Sequence, residues 1–297
     1  MAGNGLDASN RDECTQEDID DSDCATLNDG INIKTWDNLK GFYMPDSIAS
    51  FASNGVNYVL TANEGDSREY AYDASEEACE AAGHTYDDGD CFSHVDEIRV
   101  KDLDLDTSVF TDDSLQDNEN LGRLKVVTTE GDADEDGLYE ALYSFGGRSF
   151  SIFNADTGSL VFDSGDDFEQ ITATVIGGEG FNSTDDENAF DDRSDDKGPE
   201  PEALAVGTVN GKTYAFIGLE RVGGIMVYDI TDPATPAFVE YSVNRDYSVD
   251  IEDDLGNAGD LAPEGMKFVA AADSPTGKAL LIVGNEVSGT TTVYEVK

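Results

Sequence analysis

Three segments of the chain place carboxylates at the same two positions of a repeated pattern. Each segment begins with proline and an acid, continues through an apolar run, a turn and a second apolar run, and ends in glutamate. The paired acids are Asp46 and Glu64, Glu202 and Glu220, and Glu264 and Glu286, which lie 18, 18 and 22 residues apart. Carboxylate oxygens are ligands for Ca²⁺ and other hard divalent cations. Whether the acids form a metal site therefore depends on where the fold puts them.

The turns within these segments predict β-hairpins. Asn54-Gly55 and Asn210-Gly211 are typical of tight hairpin turns, and Pro275-Thr276-Gly277 indicates a looser one. The runs on both sides are rich in Val, Ile, Leu, Tyr and Phe and are too short for typical helices. In an antiparallel hairpin the start of the first strand lies beside the end of the second. The two acids of each segment should therefore meet at one end of a sheet.

Three such hairpins around one axis would gather up to six carboxylates on one face. The cluster would repel itself unless some carboxylates are protonated or a cation lies among them. We therefore predict Ca²⁺, or another hard divalent cation, at the mouth of a central channel. The alternative is structural: the Pro-acid pairs cap strand ends, and the glutamates pair with neighbours such as Arg68 or Arg221.

A second acidic group has the spacing of a calcium loop. Acids stand at alternate positions, followed by a glycine that permits a sharp turn and by a further glutamate. They are Asp132, Asp134 and Asp136, with Gly137 and then Glu140. The twelfth position is Tyr143 and no helices flank the group, which excludes an EF-hand. We predict a calcium-binding loop between strands, the alternative being an acidic turn on an acidic protein.

Basic residues are scarce, so those near the repeated segments are candidates for anion contacts. Arg193 and Lys197 could hold a phosphate beside a bound metal, with Arg68 and Arg148 contributing. The favoured alternative is that they pair with neighbouring aspartates and fix the loop.

Other catalytic routes have little support. The chain has two histidines, no GxSxG motif, no zinc-ligand spacing and no glycine-rich nucleotide loop.

The net charge limits the partners. Lys and Arg number 17 against 65 Asp and Glu, which gives a formal charge of −48. Phosphate backbones need basic surfaces, so nucleic acid is excluded, and anionic membranes are disfavoured. Most of the acids are assigned to a solvated surface and a minority to calcium. The 38% apolar content falls in strand-length runs, which an acidic disordered tail would lack.

The four cysteines form two local pairs, Cys14/Cys24 and Cys79/Cys91. Two disulfides in surface loops are favoured over a zinc site, although the sequence allows three connectivities. Disulfides indicate an oxidising compartment, and no apolar span is long enough to cross a bilayer. No signal peptide precedes the polar start. We therefore expect a secreted protein whose leader is missing from this sequence.

The elements that would position these residues predict an all-β protein. Helix-period segments are absent, and short antiparallel strands recur in repeated units, which favours a β-propeller of four-stranded antiparallel blades. The alternative is a larger propeller that lacks its N-terminal blades in this sequence. Residues 1–40 form an acidic, disulfide-containing segment or an incomplete blade. Residues 41–297 form the propeller, with an insertion at 71–95. The expected blades are 43–128, 134–176, 200–245 and 260–297.

Four strings of the sequence resemble the choice-of-anchor I domain family. They are residues 61–70 (TANEGDSREY), 145–152 (FGGRSFSI), 192–202 (DRSDDKGPEPE) and 259–265 (GDLAPEG). The resemblance extends from about residue 40 to the C-terminus, and the family is also similar to a mesenchyme-specific cell-surface glycoprotein of animals. It implies an extracellular or surface-attached propeller-like domain. Some members carry the label alkaline phosphatase.

Two functions are therefore expected. The first is a secreted or cell-surface, calcium-binding module that presents loops to an extracellular ligand or matrix partner. The second is a calcium-dependent phosphoesterase, in which clustered metals polarise a phosphorylated small molecule and an arginine neutralises its charge. An enzyme would need adjacent metals at one channel mouth with an arginine in reach, whereas a module would need only closed single sites.

Overall fold

The structure is a computed structural model that describes residues 5–8, 30–87 and 89–297. Over these residues the protein is all-β, as the sequence predicts, with short helices between some strands. The α-helices are α1 (Glu76–Ala81), α2 (Asp167–Val175) and α3 (Ile251–Asp254), and short 3₁₀ helices span Val100–Asp102, Gly177–Glu179 and Leu255–Asn257. None of the described helices is long and apolar enough to span a bilayer. The Cys14/Cys24 pair lies outside the described residues.

The strands follow one another along the chain and are mostly three to eight residues long. They are β1 (Leu39–Gly41), β2 (Ile48–Ser53), β3 (Val56–Asn63), β4 (Glu69–Asp73), β5 (Thr85–Asp87), β6 (Asp90–Val95), β7 (Glu97–Arg99), β8 (Lys125–Val127), β9 (Leu142–Ser144), β10 (Ser149–Asn154), β11 (Leu160–Asp163), β12 (Pro201–Val209), β13 (Lys212–Leu219), β14 (Ile225–Asp229), β15 (Ala237–Ser242), β16 (Pro263–Val269), β17 (Ala279–Asn285) and β18 (Thr290–Val296).

Four main sheets and one small sheet contain these strands. Sheet I has the order β1-β9-β8-β7, sheet II β11-β10-β3-β2, sheet III β12-β13-β14-β15 and sheet IV β16-β17-β18. Sheets II, III and IV are antiparallel, whereas β1 and β9 of sheet I run parallel. The small sheet, β4-β6-β5, covers residues 69–95 and so begins two residues before the predicted insertion at 71–95. There the Cys79–Cys91 disulfide forms as predicted, with Cα atoms 5.6 Å apart.

The first two predicted blades are wrong in their composition. The first predicted blade, 43–128, would place β2 and β3 in one sheet with the strands of residues 97–128. Instead β3 pairs with β10, from Asn63 opposite Ser149 to Tyr58 opposite Asn154. Buried polar contacts fix this register, because the Asn63 amide donates to the hydroxyls of Ser149 at 3.1 Å and Ser151 at 2.8 Å. The prediction failed because it assumed that strands adjacent in sequence are adjacent in space. The other two predicted blades, 200–245 and 260–297, coincide with sheets III and IV, although sheet IV has three strands and not the predicted four.

The apolar core lies between the sheets. Its largest cluster joins sheets II and III through buried residues such as Leu60, Phe150, Ile217 and Tyr228. Phe168 of helix α2 packs into the same cluster, its ring 6.1 Å from that of Phe150. Sequence analysis missed this helix because its nine residues make only two and a half turns, too few for a clear helical period.

Candidate metal centre at the hairpin ends

The three repeated segments fold into the predicted hairpins. Asn54-Gly55 and Asn210-Gly211 form tight turns, with φ of 51° and 80° in the first and 52° and 82° in the second. Pro201 pairs with Leu219, and Pro263 pairs with Asn285, so the two ends of each hairpin lie side by side. In the first hairpin the Asp46 amide donates to the Ala62 carbonyl at 3.0 Å.

Two of the predicted acids lie in β-bulges. The pairing of β12 with β13 shifts between Pro201 and Leu204, and Glu202 lies in that shift. The pairing of β16 with β17 shifts in the same way just after Pro263, at Glu264. A bulge adds one unpaired residue to a strand, bends the strand and re-aims its side chains. The bulges therefore take both carboxylates out of the regular alternation of their sheets.

Four of the six predicted hairpin acids come together in two overlapping groups. Ligand oxygens of Asp46, Glu64 and Glu202 all lie within 4.8 Å of one another, and so do those of Glu64, Glu220 and a further acid, Glu200. We call these two groups the outer group and the inner group; Glu64 belongs to both.

The remaining two predicted acids differ in position. Glu264 approaches Glu202 closely enough for a side-chain hydrogen bond. Glu286 is exposed and belongs to none of the acid groups found among the described residues. Its hairpin is four residues longer than the other two, and its amide donates to the Ala262 carbonyl at 2.7 Å. The ring of six predicted from the repeat is therefore a cluster of five, to which the structure adds Glu200.

Burial and mutual repulsion perturb the cluster. Burial, with the charge of Glu220 and a hydrogen bond from Glu264, raises the pKa of Glu202 well above its usual range. Burial and the charge of Glu200 raise the pKa of Glu220 to about 7. Burial also raises the pKa of Glu64, although Lys197 acts against it. Each shift means that the cluster favours protons, or another source of positive charge.

The inner group already holds positive charge. The Lys197 ammonium lies 2.6 Å from Glu64 and 3.1 Å from Glu200. Burial lowers the pKa of Lys197, but the charges of Glu200 and Glu64 outweigh it and raise the pKa above its usual range. Arg193 pairs with Glu200 at 2.7 Å, and Arg221 lies 3.2 Å from Glu220. The structural alternative, in which glutamates pair with neighbouring cations, therefore describes the inner group.

Glu200 is the member that sequence analysis missed. It is fully buried and has φ of 51°, just before Pro201 at the start of β12. The residue before proline avoids the right-handed helical region, but the left-handed conformation has no signature in the sequence. The available signal was its position directly beside the Pro-acid pair, at the same strand end.

The two other arginine candidates have different surroundings. Arg148 is 2% exposed, and its guanidinium pairs with Glu169 at 2.5 Å and donates to the carbonyls of Asp7, Ser194 and Asp196. This side chain anchors the segment around residue 195, and its burial leaves no room for a phosphate. Arg68 pairs with Asp96 at 2.8 Å, and its side chain is 59% exposed.

The predicted calcium loop brings its four acids together. Ligand oxygens of Asp132, Asp134, Asp136 and Glu140 lie within 4.8 Å of one another. The backbone wraps around Asp132, whose carboxylate accepts from the amides of Asp136 at 3.1 Å and Gly137 at 2.9 Å. The charge of Asp136 raises the pKa of Asp134. These residues are half-buried or exposed, so the loop opens to solvent.

An open cavity of about 380 Å³ lies beside the inner group. Its basic lining residues are Lys125, Arg193, Lys197 and Arg221, and acids including Asp66 and Asp196 alternate with them. Each of the four cations also has an acidic partner within 4 Å, for example Lys125 with Asp196 at 3.2 Å. The cavity is therefore of mixed charge.

The sequence is similar to those of known proteins. The family model of the choice-of-anchor I domain matches residues 1–233, so the match begins before the motifs that suggested it and ends within sheet III. The chain is 33% identical to Gigasin-3a of Magallana gigas over 197 residues, 62% of this chain and 67% of the relative. It is 27% identical to the mesenchyme-specific cell surface glycoprotein of Strongylocentrotus purpuratus over 245 residues, 77% of this chain but only 31% of the relative. The chain thus belongs to the choice-of-anchor I domain family.

Proposed function

We propose that this chain is an extracellular or cell-surface binding module, built as a β-propeller, in which the hairpin-end carboxylates hold Ca²⁺. Family membership and the printed name of the sea-urchin relative support the surface location. The disulfide Cys79–Cys91 is consistent with an oxidising compartment. In this role the cation stiffens the end of the domain where loops meet a ligand or matrix partner.

The observation that carries the calcium proposal is the state of Glu202. This residue is 7% exposed, and its Oε2 atom is buried and accepts no hydrogen bond from an amide, a hydroxyl or a basic side chain among the described residues. The Glu264 carboxyl does approach Glu202, but two carboxylates can hydrogen-bond only through a shared proton. A buried carboxylate oxygen without a partner costs free energy, and native proteins rarely retain one without a cation, a proton or a water. Asp46 and Glu64 place further oxygens within 4.8 Å of a carboxylate oxygen of Glu202. An all-oxygen set suits Ca²⁺ better than zinc or copper.

The loop from Asp132 to Glu140 is proposed as a second, independent calcium position. Its four acids converge, and the amides that wrap Asp132 hold the turn in place. Because the loop is open to solvent, water would complete the coordination there and the affinity would be lower than at the hairpin ends.

The test is calcium binding to the whole chain after metal removal. Calorimetric titration, with elemental analysis of protein purified without chelator, should show calcium in the native protein. Glu202→Gln should abolish the tighter binding event, whereas Glu240→Gln, which changes an exposed acid on β15, should leave it unchanged. Native protein without calcium, or equal binding by both variants, would contradict the proposal.

A calcium-dependent phosphoesterase is the second candidate. The observation that favours it is the cavity beside the acid cluster, whose lining includes Arg193, Lys197 and Arg221. Hydrolysis would need a cation in the cluster to polarise the phosphate and activate water. Assay of a generic phosphomonoester with calcium, and again after EDTA, separates the candidates. Turnover that EDTA abolishes and Arg193→Met reduces would favour the enzyme; calcium binding without turnover would leave the module.

A further inference from the structure

The acid cluster is divided by charge into two unlike halves. The inner group contains Glu64, Glu200 and Glu220, and three basic side chains contact it. The closest is Lys197, whose ammonium lies 2.6 Å from Glu64 and 3.1 Å from Glu200. That ammonium is nearly buried, since its side chain is 8% exposed. It therefore lies among the inner carboxylates, where a metal ion would otherwise bind them.

Two arginines complete the neutralisation of the inner group. Arg193 pairs with Glu200 at 2.7 Å, and Arg221 pairs with Glu220 at 3.2 Å and lies 3.6 Å from Glu200. Each carboxylate of the inner group thus has a basic partner, although the three cations are shared with Asp196, Asp66 and Asp185. The ammonium and the guanidinium groups therefore already supply positive charge where a cation would contact the inner carboxylates.

The outer group has a basic partner only at Glu64, which it shares with the inner group. Within the part of the chain that the structure describes, no basic side chain forms an ion pair with Asp46, Glu202 or Glu264. Glu202 is buried there with its Oε2 unpartnered, while Asp46 and Glu264 are exposed. Apart from Glu64, which Lys197 contacts, the acids at the outer group are therefore uncompensated, and the group is open to solvent on one side, which gives an ion a route in.

We infer that the Lys197 ammonium permanently occupies one of two adjacent cation positions, so that the cluster binds a single divalent cation, held by Asp46, Glu202 and the shared Glu64. This inference rests on the proposed calcium function and adds to it the number of ions and the residue that sets that number. Lys197 is a specificity-determining residue that acts through Glu64 and Glu200 and does not contact the metal. The centre is mononuclear because its second position holds an ammonium.

The test counts ions. To remove the contribution of the calcium loop, the reference protein carries Asp132→Asn, Asp134→Asn and Asp136→Asn; asparagine keeps an acceptor oxygen for the loop amides. In this reference, calorimetry and elemental analysis should give one calcium per chain. Lys197→Met, which keeps the length of the side chain and removes its charge, should give two. Adding Glu220→Gln to Lys197→Met should return the count to one, and Lys197→Arg should keep it at one.

The outcomes separate the inference from the function on which it rests. One ion in both the reference and the folded Lys197→Met variant, with equal affinity, would overturn the inference and leave calcium binding intact. Two ions in the reference would also overturn the inference and leave calcium binding intact. This result does not depend on whether a variant at position 197 folds. No ion in the reference would overturn both. Circular dichroism and thermal melting with calcium establish that each variant is folded before its ions are counted.

Discussion

Glu202 and Glu264 occupy equivalent positions in two different sheets. Each follows a proline that pairs with the last residue of the neighbouring strand, and each lies in the bulge beside that proline. Their side chains approach closely enough to hydrogen-bond. In these two copies the Pro-acid pair thus coincides with a local backbone irregularity, and that irregularity re-aims the two carboxylates so that acids from sheets III and IV meet.

The metal-free protein should become less stable as the pH rises from 5 to 9. Glu220 has its pKa raised from 4.5 to about 7, and that of Glu202 is raised further. A carboxyl with a raised pKa in the folded state keeps its proton where the unfolded chain has lost it, so the free energy of unfolding falls as the pH rises through that window. Thermal melting in calcium-depleted buffer should show the fall.

The control for this pH dependence is the double variant Glu202→Gln/Glu220→Gln. Its melting temperature should fall less steeply over the same range, because neither amide titrates. Saturating calcium should flatten the profile of the wild type, since a cation replaces the protons. A wild-type melting temperature that stays constant, or rises, between pH 5 and 9 without calcium would contradict this account.

Gly146→Ala should weaken calcium binding without changing any ligand. Gly146 has φ of 73°, and a Cβ there would lie 1.6 Å from the backbone oxygen of Glu64, so the Glu64 backbone would have to move. We expect at least a tenfold loss of affinity. Gly158→Ala is the matched control: its φ is 71°, but nothing lies within 4 Å of an added Cβ. It should lose only about 1–2 kcal/mol of stability and keep its calcium affinity.

Arg148→Met should destabilise the whole domain. Arg148 and Glu169 form a buried pair, with side chains 2% and 1% exposed, and removal of one partner leaves an uncompensated charge. The expected loss is about 3–5 kcal/mol, measured by urea unfolding with calcium. The control is Lys212→Met, which removes an ion pair with Asp229 at the surface and should leave the free energy of unfolding nearly unchanged. Equal effects would show that Arg148 has no anchoring role.

Removal of the Cys79–Cys91 disulfide should loosen the insertion alone. The bond closes a separation of 12 residues within the small sheet β4-β6-β5 and helix α1. With Cys79→Ser/Cys91→Ser, limited proteolysis followed by mass spectrometry should detect new cleavage between residues 71 and 95. The calcium count should not change, because no cation ligand belongs to the insertion. Loss of calcium in this variant would show that the insertion supports the metal centre.

The sequence predicted the hairpins well because their signals are local. Asn-Gly turns and alternating apolar runs specify each hairpin within about 20 residues, so the meeting of Asp46 with Glu64 and of Glu202 with Glu220 followed directly. The pairing of β3 with β10 could not be predicted in this way, since it depends on contacts between Asn63 and serines 86 and 88 residues away.

The division of the acid cluster was also beyond the sequence. Lys197 and Arg193 were recognised as unusual in an acidic chain, but their partners depend on how the long loop before β12 folds back. That loop is held from outside by Arg148, which donates to the carbonyls of Ser194 and Asp196. An interaction through backbone carbonyls leaves no pattern of side-chain types that a single sequence could reveal.

The carboxylates of the cluster come from three sheets. Glu64 follows β3 of sheet II, Glu202 lies in β12 of sheet III, and Glu264 lies in β16 of sheet IV. Backbone hydrogen bonds resist force only within each sheet, so an ion held by Asp46, Glu64 and Glu202 would cross-link sheets II and III under tension. The mechanical stiffness of the domain would then follow the calcium concentration of the surrounding fluid.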